Sequence, residues 1–146
     1  MSTGHEFLPV TGDIQVHAWA PTLAELFRET GLVLMRIIVP GPASTNEEIS
    51  VRVDKDAEDL KALLFDWLSE ILYLFDADLL VINEIEIDSL DEVEDGRWEI
   101  KSQFKGERFR KGYHRGGKEV KAVTYSYMTI EERDDGLQHL LIIFDI

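Results

Sequence analysis

The longest regular pattern of apolar positions in the chain lies between residues 60 and 75. Large apolar side chains recur there at intervals of three and four residues, namely Leu60, Leu63, Leu64, Trp67, Leu68, Ile71, Leu72 and Phe75. This spacing puts them on one face of an α-helix, while Asp66 and Glu70 lie off that face. The pattern therefore predicts an amphipathic helix, and Asp56 is a suitable N-cap for it.

A second helical pattern begins directly after Pro21. Thr22 and Glu25 have the spacing of a capping box, in which each side chain accepts a hydrogen bond from the other residue's backbone N–H. Apolar residues continue at helical spacing up to the PGP segment at 40–42, which ends the helix. Gly31 lies in the middle of this pattern and lowers its helix propensity.

The remaining apolar positions alternate with polar ones and predict β-strands. They lie in residues 12–19, 48–53, 79–88, 98–106, 119–130 and 139–146. Turn-forming residues separate them in 88–96, 110–118 and 131–137. Because the strands come in groups and do not alternate with helices, we expect an α+β fold. It consists of one or more mainly antiparallel sheets with two principal helices packed on them, in a single domain over residues 1–146.

The composition is that of a globular protein. The chain has 146 residues, of which 45% are apolar, so a single domain can bury a sizeable core. It has no cysteine, which excludes disulfides and thiolate metal sites. No apolar run is as long as a membrane span, and the N-terminal residues lack the pattern of a signal peptide. We therefore expect a cytoplasmic protein with no membrane partner.

The charge balance narrows the possible partners. The 29 acidic residues outnumber the 15 basic ones and give a net charge of −14. Such a field repels phosphate backbones, so a free-standing RNA-binding module is not expected. A basic protein partner or bound cations fit the charge better. The simpler alternative, that most of the acidic residues serve solubility or adapt the protein to a salty cytoplasm, stays open.

Sequence motifs for catalysis are missing. The chain contains no glycine-rich phosphate loop, no nucleophile elbow, and no pair of histidines at zinc-ligand spacing. The basic segment RKGYHRGGK at 110–118 is interpreted first as a solvated hairpin loop. Its functional alternative is contact with an acidic partner or with a nucleotide.

Three charged residues near predicted strand ends are the candidates for function. Alternation puts Asp13 on the face of its strand opposite Ile14, and Asp145 on the face opposite Phe144. Lys121 shares a strand face with Val123, Tyr125 and Tyr127 by the same rule. Simple exposure to solvent explains all three charges if nothing else is considered.

Four stretches of the sequence resemble one known family. They are EFLPVTGDIQVHAW (6–19), LAELF (23–27), LLFDWLSEILYLFD (63–76) and EVKAVTYSYMTI (119–130), together with the terminal FDI. In this order they resemble archease, the small partner protein of RtcB-type RNA ligases. The resemblance extends over nearly the whole chain.

The resemblance implies a non-catalytic partner protein. It implies that the protein helps an RtcB-type ligase through guanylylation and repeated turnover in tRNA splicing and RNA repair. Contact with tRNA is then expected only indirectly, through the ligase. The resemblance also implies a metal site that contains Asp13 and Asp145, and a functional role for Lys121.

The implied metal site needs further ligands, because two aspartates are too few for a closed cage. The carboxylate of Ile146 is a candidate for a further oxygen. Such a set of oxygen ligands suits calcium, magnesium or manganese. The family often has histidines where this chain has Val10 and Ser126, and alanine where it has Gly12. These differences argue against a histidine role near the metal and leave Asp13, Asp145 and Lys121 in place.

Two other classes of function remain open. A metal site with two carboxylates and Lys121 also suits a phosphoryl-transfer or hydrolytic enzyme. A general chaperone or adaptor, acting through its acidic surface alone, is the third hypothesis.

Overall fold

A computed structural model describes residues 2–41 and 44–146 of the chain. This part contains two helices and seven strands, which are, in chain order, β1 (Gly4–Leu8), β2 (Asp13–Ala20), α1 (Leu23–Ile38), β3 (Ile49–Ala57), α2 (Leu60–Asp78), β4 (Leu80–Glu94), β5 (Arg97–Arg108), β6 (Ala122–Glu132) and β7 (Gln138–Asp145). Neither helix is both long enough and apolar enough to cross a membrane.

The strands form two separate antiparallel sheets. The first has the order β1-β2-β7-β6, and the second has the order β3-β5-β4. All the strand pairs in both sheets are antiparallel. The predicted α+β fold with mainly antiparallel sheets and two principal helices is confirmed.

Each helix contacts both sheets, and the core lies where they meet. Helix α1 packs mainly against β4 and β2, while α2 packs mainly against β6 and β3. The apolar residues on one face of β2 and β7 are buried, and they are Val16, Ala18, Ala20, Leu140, Ile142 and Phe144. The burial of these apolar side chains holds the helices on one face of the first sheet.

Trp67 occupies the centre of this core. It is fully buried, and its ring lies 5.6 Å from that of Phe27 and 5.5 Å from that of Phe104. Its indole Nε1 donates a hydrogen bond to Ser102 Oγ at 3.0 Å, and Ser102 Oγ donates to the carbonyl of Val53 at 2.6 Å. The apolar face predicted for the second helix is therefore the face that joins α2 to β3 and β5.

Gly31 has a packing role that its low helix propensity does not reveal. A Cβ atom at this position of α1 would lie 2.8 Å from Ile85 Cδ1 and 3.1 Å from an indole carbon of Trp67. Such distances are shorter than van der Waals contact. The glycine thus allows α1 to approach the centre of the core closely.

The N-cap of α2 differs from the prediction. Strand β3 continues to Ala57 and pairs Asp56 with Glu99, so Asp56 belongs to the sheet. The cap is Asp59, whose side chain accepts a hydrogen bond from the Ala62 N–H at 2.8 Å. The alternating residues of β3 extend further toward the helix than the sequence pattern indicated, which displaces the cap by three positions.

One of the two hydrogen bonds of the predicted capping box is present at the start of α1. Thr22 Oγ1 accepts a hydrogen bond from the Glu25 N–H at 3.2 Å, as predicted. The carboxylate of Glu25 accepts instead from the hydroxyl of Thr3 at 3.4 Å. Glu25 therefore ties the N-terminal segment to the helix.

Several strand boundaries also differ from the prediction. Strand β1 was not predicted, and β4 continues to Glu94 through most of the expected turn at 88–96. The basic segment 110–118 connects β5 in one sheet with β6 in the other. It is therefore a crossover between sheets, and its interpretation as a hairpin loop is wrong.

A large bulge interrupts β6. Thr124 pairs with Ile143 and Thr129 pairs with Leu141, so residues 125–128 oppose a single residue of β7. Tyr127 has a positive φ of 64° and is 81% exposed. Alternation fails across this bulge, so the prediction that Lys121 shares one face with Val123, Tyr125 and Tyr127 does not hold for Tyr127, which lies inside the bulge.

Replacement of Trp67 by alanine is expected to lower the free energy of unfolding by about 3–5 kcal/mol, because it removes a large buried ring and leaves Ser102 without its donor. Chemical denaturation of the purified protein measures this change. Tyr73→Ala on the same helix is the matched control, since Tyr73 is 61% exposed. Equal stability of the Trp67→Ala variant and the parent would show that the ring does not hold the core together.

Candidate metal centre and its surroundings

Asp13 and Asp145 are direct partners across two neighbouring strands. The antiparallel register of β2 and β7 pairs Asp13 with Asp145 and Ile14 with Phe144. Phe144 is fully buried, whereas both aspartates are half-buried and occupy the alternate positions of their strands. Residues directly opposite in such a pair have Cβ atoms about 5 Å apart. The two carboxylates therefore start from adjacent positions on one face of the sheet.

Lys121 lies at the same end of the first sheet. Its backbone N–H donates a hydrogen bond to the carbonyl of Asp145 at 2.7 Å, and the next residue, Ala122, pairs with Asp145. Lys121 precedes the first residue of β6, and its side chain is exposed. The backbone thus brings together the three charged residues that the sequence singled out.

The donor atoms at this end suit a hard cation only if the backbone contributes. In residues 2–41 and 44–146, no three His, Cys, Asp or Glu side chains converge on a point where they could share a metal ion. Ile146 follows Asp145 directly, and its side chain packs against the core. A main-chain oxygen of Ile146 and water molecules would be the natural additional ligands. An all-oxygen set of this kind matches calcium, magnesium or manganese.

A mainly apolar cavity of about 580 Å³ lies beside Asp13, between α1 and the segment that joins β1 to β2. Phe7, Val10 and Ile14 contribute apolar walls, and Lys118 is also part of the lining. Val10 is 41% exposed. Val10, where the resemblance implied a histidine, thus adds apolar surface to this cavity.

Each of the four histidines contacts a carboxylate. His17 and His139 also contact one another on the outer face of the first sheet. Glu6 Oε2 lies 2.7 Å from His17 Nδ1, His17 Nε2 lies 2.8 Å from His139 Nδ1, and His139 Nε2 lies 2.8 Å from Asp135 Oδ2. These contacts form a continuous chain of carboxylate, imidazole, imidazole and carboxylate.

The geometry of this histidine pair is that of a hydrogen bond along the ring planes. The ring centroids are 5.1 Å apart, which equals the 2.8 Å between the two nitrogens plus about one ring width. The ring planes differ by only 17°, so the two rings meet edge to edge. Both nitrogens of each ring are used inside the chain of contacts. Two hydrogen bonds lower the pKa of Asp135, the one from the Leu137 backbone N–H with the larger effect and the one from His139 with the smaller. These imidazoles are therefore structural and do not point at Asp13.

Glu107 is the most heavily bonded buried carboxylate. Its side chain accepts hydrogen bonds from Asn46 at 2.9 Å, Asn83 at 3.3 Å, and Arg110 and His114 at 3.1 Å each. Burial alone raises the pKa of Glu107, but the hydrogen bonds from His114, Asn83 and Asn46 outweigh it and hold the pKa below its usual value. Glu107 thus fixes the basic segment 110–118 to the second sheet.

The hydrogen bonds of Glu107 were not visible in the sequence. Its partners come from three separate parts of the chain, and only Arg110 and His114 are close to it in sequence. The sequence offered one signal for this role of Glu107. It is a charged residue at the end of an alternating strand, just before the basic segment 110–118.

Comparisons with known proteins agree with this architecture. Residues 5–146 match the model of the archease protein family (MTH1598/TM1083). The chain is 33% identical to protein archease of Methanosarcina acetivorans over 139 residues, which cover 95% of this chain and 94% of that protein. It is 35% identical to the archease-like protein of Drosophila melanogaster over 148 residues, which cover 97% of this chain and 90% of that protein.

A solved structure has the same fold. The solution structure of Methanobacterium thermoautotrophicum protein 1598 superimposes with a TM-score of 0.81 and 30% identity, and the match covers 98% of this chain and 99% of that one. The molecule is thus an α+β protein with two antiparallel sheets and a pair of aspartates at the end of the first. The chain belongs to the archease family.

Replacing Asp13 or Asp145 by asparagine is expected to weaken the binding of Ca²⁺ at least about tenfold, because each change removes one anionic ligand from a site with few ligands. Isothermal titration calorimetry with Ca²⁺, Mg²⁺ and Mn²⁺ measures the affinity. Asp91→Asn on the exposed part of β4 is the matched control. Unchanged affinity in both site variants would mean that the cation binds elsewhere.

Replacing Glu107 by glutamine is expected to lower stability at neutral pH, and this loss should shrink in acid. The pKa of Glu107 is lower in the folded than in the unfolded protein, so its contribution is present above the unfolded value and is lost as the pH falls through the folded one. Urea unfolding of parent and variant over a series of pH values tests this. The exposed Glu119→Gln is the control, and a loss independent of pH would contradict the assignment.

Proposed function

We propose that this protein activates an RtcB-type RNA ligase, promoting its guanylylation and its multiple turnover, with a divalent cation at Asp13, Asp145 and Ile146. Membership of the archease family supports the partner. The observation that carries the proposal is the pairing of Asp13 with Asp145 together with the hydrogen bond from the Lys121 N–H to the Asp145 carbonyl. These two contacts bring residues from β2, β7 and the start of β6 together at one end of the first sheet.

Calcium, magnesium or manganese would neutralise the two carboxylates when bound at this site. Asp13 and Asp145 would hold the cation, and a main-chain oxygen of Ile146 would complete the protein's share of ligands. The role of Lys121 is separate. Its exposed ammonium group is free to reach a phosphate or an acidic group of the ligase, while its backbone stays tied to Asp145.

The charge of the chain supports an indirect relation to tRNA. A net charge of −14 disfavours long-range attraction to an RNA backbone. The proposal therefore assigns RNA binding, GTP use and bond formation to the ligase. The protein itself acts as a non-catalytic partner in this scheme.

Single-turnover and multiple-turnover ligation by a cognate RtcB-type ligase, with and without this protein, tests the proposal. Stimulation that is strongest under multiple turnover, with no reaction by the protein alone, is the expected result. Hydrolysis of GTP or of a phosphodiester by the purified protein alone would favour a metal-dependent enzyme instead. Protection of unrelated proteins from aggregation, without stimulation of the ligase, would favour a general chaperone.

Replacement of Lys121 by alanine is expected to reduce the stimulation of multiple-turnover ligation strongly and to change the free energy of unfolding by no more than about 0.5 kcal/mol, because the side chain is exposed. Ligation assays and thermal melting measure the two effects. Lys101→Ala, an exposed lysine of β5 in the other sheet, is the matched control. A Lys121→Ala variant that stimulates as well as the parent would remove this residue from the proposed mechanism.

A further inference from the structure

The histidine pair of β2 and β7 lies on the outer face of the first sheet and is largely shielded from water. The side chains of His17 and His139 are 14% and 7% exposed. Trp19 contributes to this shielding, since its ring lies 5.0 Å from that of His17 and its backbone is directly opposite His139 in the strand register. The ring nitrogens of the pair therefore depend mainly on protein groups for their hydrogen bonds.

The two outward contacts of the pair each require a proton on the ring. Carboxylates at neutral pH only accept hydrogen bonds, so Glu6 accepts from His17 Nδ1–H and Asp135 accepts from His139 Nε2–H. Asp135 is held in this ionised form, because the Leu137 N–H also donates to its carboxylate at 2.8 Å and lowers its pKa. Each ring thus uses the single proton of a neutral imidazole on its outer side.

The inner contact needs a third proton. With their two protons turned outward, neutral rings would present lone pairs to each other from His17 Nε2 and His139 Nδ1, which are 2.8 Å apart. That separation is typical of a hydrogen bond and needs one N–H between the two nitrogens. One of the rings is then an imidazolium, and the pair carries three protons and one positive charge.

His114 shows that an imidazole with two occupied nitrogens does not by itself need an extra proton. Its Nδ1 accepts from the Arg110 N–H at 2.8 Å, and its Nε2 lies 3.1 Å from Glu107 Oε2. One proton, on Nε2, satisfies both contacts. The extra proton of the pair arises because two rings meet whose outer sides both face carboxylates.

The charged groups around the pair compensate its positive charge. Glu6 faces it from β1, and Asp135 faces it from the turn between β6 and β7. Glu131 of β6 is directly opposite His139 in the register, and Arg133 contacts Glu131 and so offsets part of its charge. Three carboxylates against one guanidinium favour an imidazolium at this place.

We propose that His17 and His139 form a proton-binding site, in which one proton shared between His17 Nε2 and His139 Nδ1 ties β1 to the turn between β6 and β7. The contact between the rings holds only while the pair carries three protons. Release of the shared proton leaves two lone pairs facing each other, and uptake of a fourth proton leaves two N–H groups facing each other. The site is separate from the aspartate pair and does not depend on the proposed ligase function.

The shared proton makes stability depend on pH in a defined direction. In an unfolded chain an imidazole has a pKa of about 6.5, so above this value the folded protein binds one proton more than the unfolded chain. Stability then falls as the pH rises above about 7, until the shared proton is released. This direction is the reverse of that expected for Glu107, whose contribution is lost in acid.

NMR of the full chain, isotope-labelled at the histidine nitrogens, tests the site without any substitution. At about pH 7.5, about one unit above the ordinary imidazole pKa, we expect protonated His17 Nδ1 and His139 Nε2. We also expect a scalar coupling between His17 Nε2 and His139 Nδ1 across the shared proton. His114 is the internal reference, with one protonated and one unprotonated nitrogen. Unprotonated shifts for both inner nitrogens of the pair at this pH would overturn the proposal.

His139→Gln supplies a second test, because a glutamine amide N–H can donate to His17 Nε2 and makes the third proton unnecessary. Urea unfolding between about pH 7 and 9 should show a loss of stability with rising pH in the parent and a smaller loss in this variant. His5→Gln is the matched control, since His5 also contacts a carboxylate, that of Glu29, but lies outside the pair. It should change the pH dependence less than His139→Gln does, and equal changes in the two variants would contradict the shared proton.

Discussion

The register between β2 and β7 is the constraint on which the candidate metal centre depends. Side chains alternate between the two faces of a strand, so a slip of one residue would move Asp13 away from Asp145 and put a carboxylate into the core. The buried side chains of Val16, Ile142 and Phe144 exclude that slip, because it would bring them into water. The hydrophobic core thus sets the position of two charged residues that contribute nothing to it.

Charged groups inside this acidic protein follow a consistent rule. Glu107 is buried with four hydrogen-bond donors around it, and the histidine pair of β2 and β7 lies between two carboxylates. Buried charges are stable only when partners replace the lost water. Arg36 departs from this rule within the described residues, since its hydrogen bonds go only to backbone carbonyls. Its environment is therefore more informative than that of the many exposed, paired charges.

Sequence periodicity predicted the structure correctly where the local pattern and the tertiary packing place the same residues in the core. Trp67 lies in the middle of the predicted apolar face and in the middle of the core. The pattern failed where tertiary pairing extends or interrupts an element. Pairing with β5 carries β3 past Asp56 to Ala57, and the bulge at 125–128 breaks the alternation that was expected to put Tyr127 on one face with Lys121. The local sequence of a strand does not show which other strand it will pair with.

The same limitation applies to the candidate site. Alternation correctly assigned Asp13 and Asp145 to particular faces of their strands, but the contact between those strands joins the two ends of the chain. The diagonal contact between His17 and His139 and the four donors of Glu107 also join distant segments. These contacts follow from the topology of the sheets, which the sequence constrained only to a mainly antiparallel arrangement.

Val10 and Ser126, two of the three positions at which the resemblance implied a different residue, bear on the type of cation proposed for this site. Val10 adds an apolar wall to the cavity beside Asp13, and Ser126 is exposed in the bulge of β6, where that strand separates from β7. Neither side chain can supply an imidazole nitrogen, and His17, nearest in β2, has both ring nitrogens occupied by Glu6 and His139. His5, which lines the cavity together with Asp13, contacts Glu29 through its Nδ1, and Asp13 and Asp145 themselves offer carboxylate oxygens. In the proposed metal site, a set of oxygen ligands would suit hard cations better than zinc or copper.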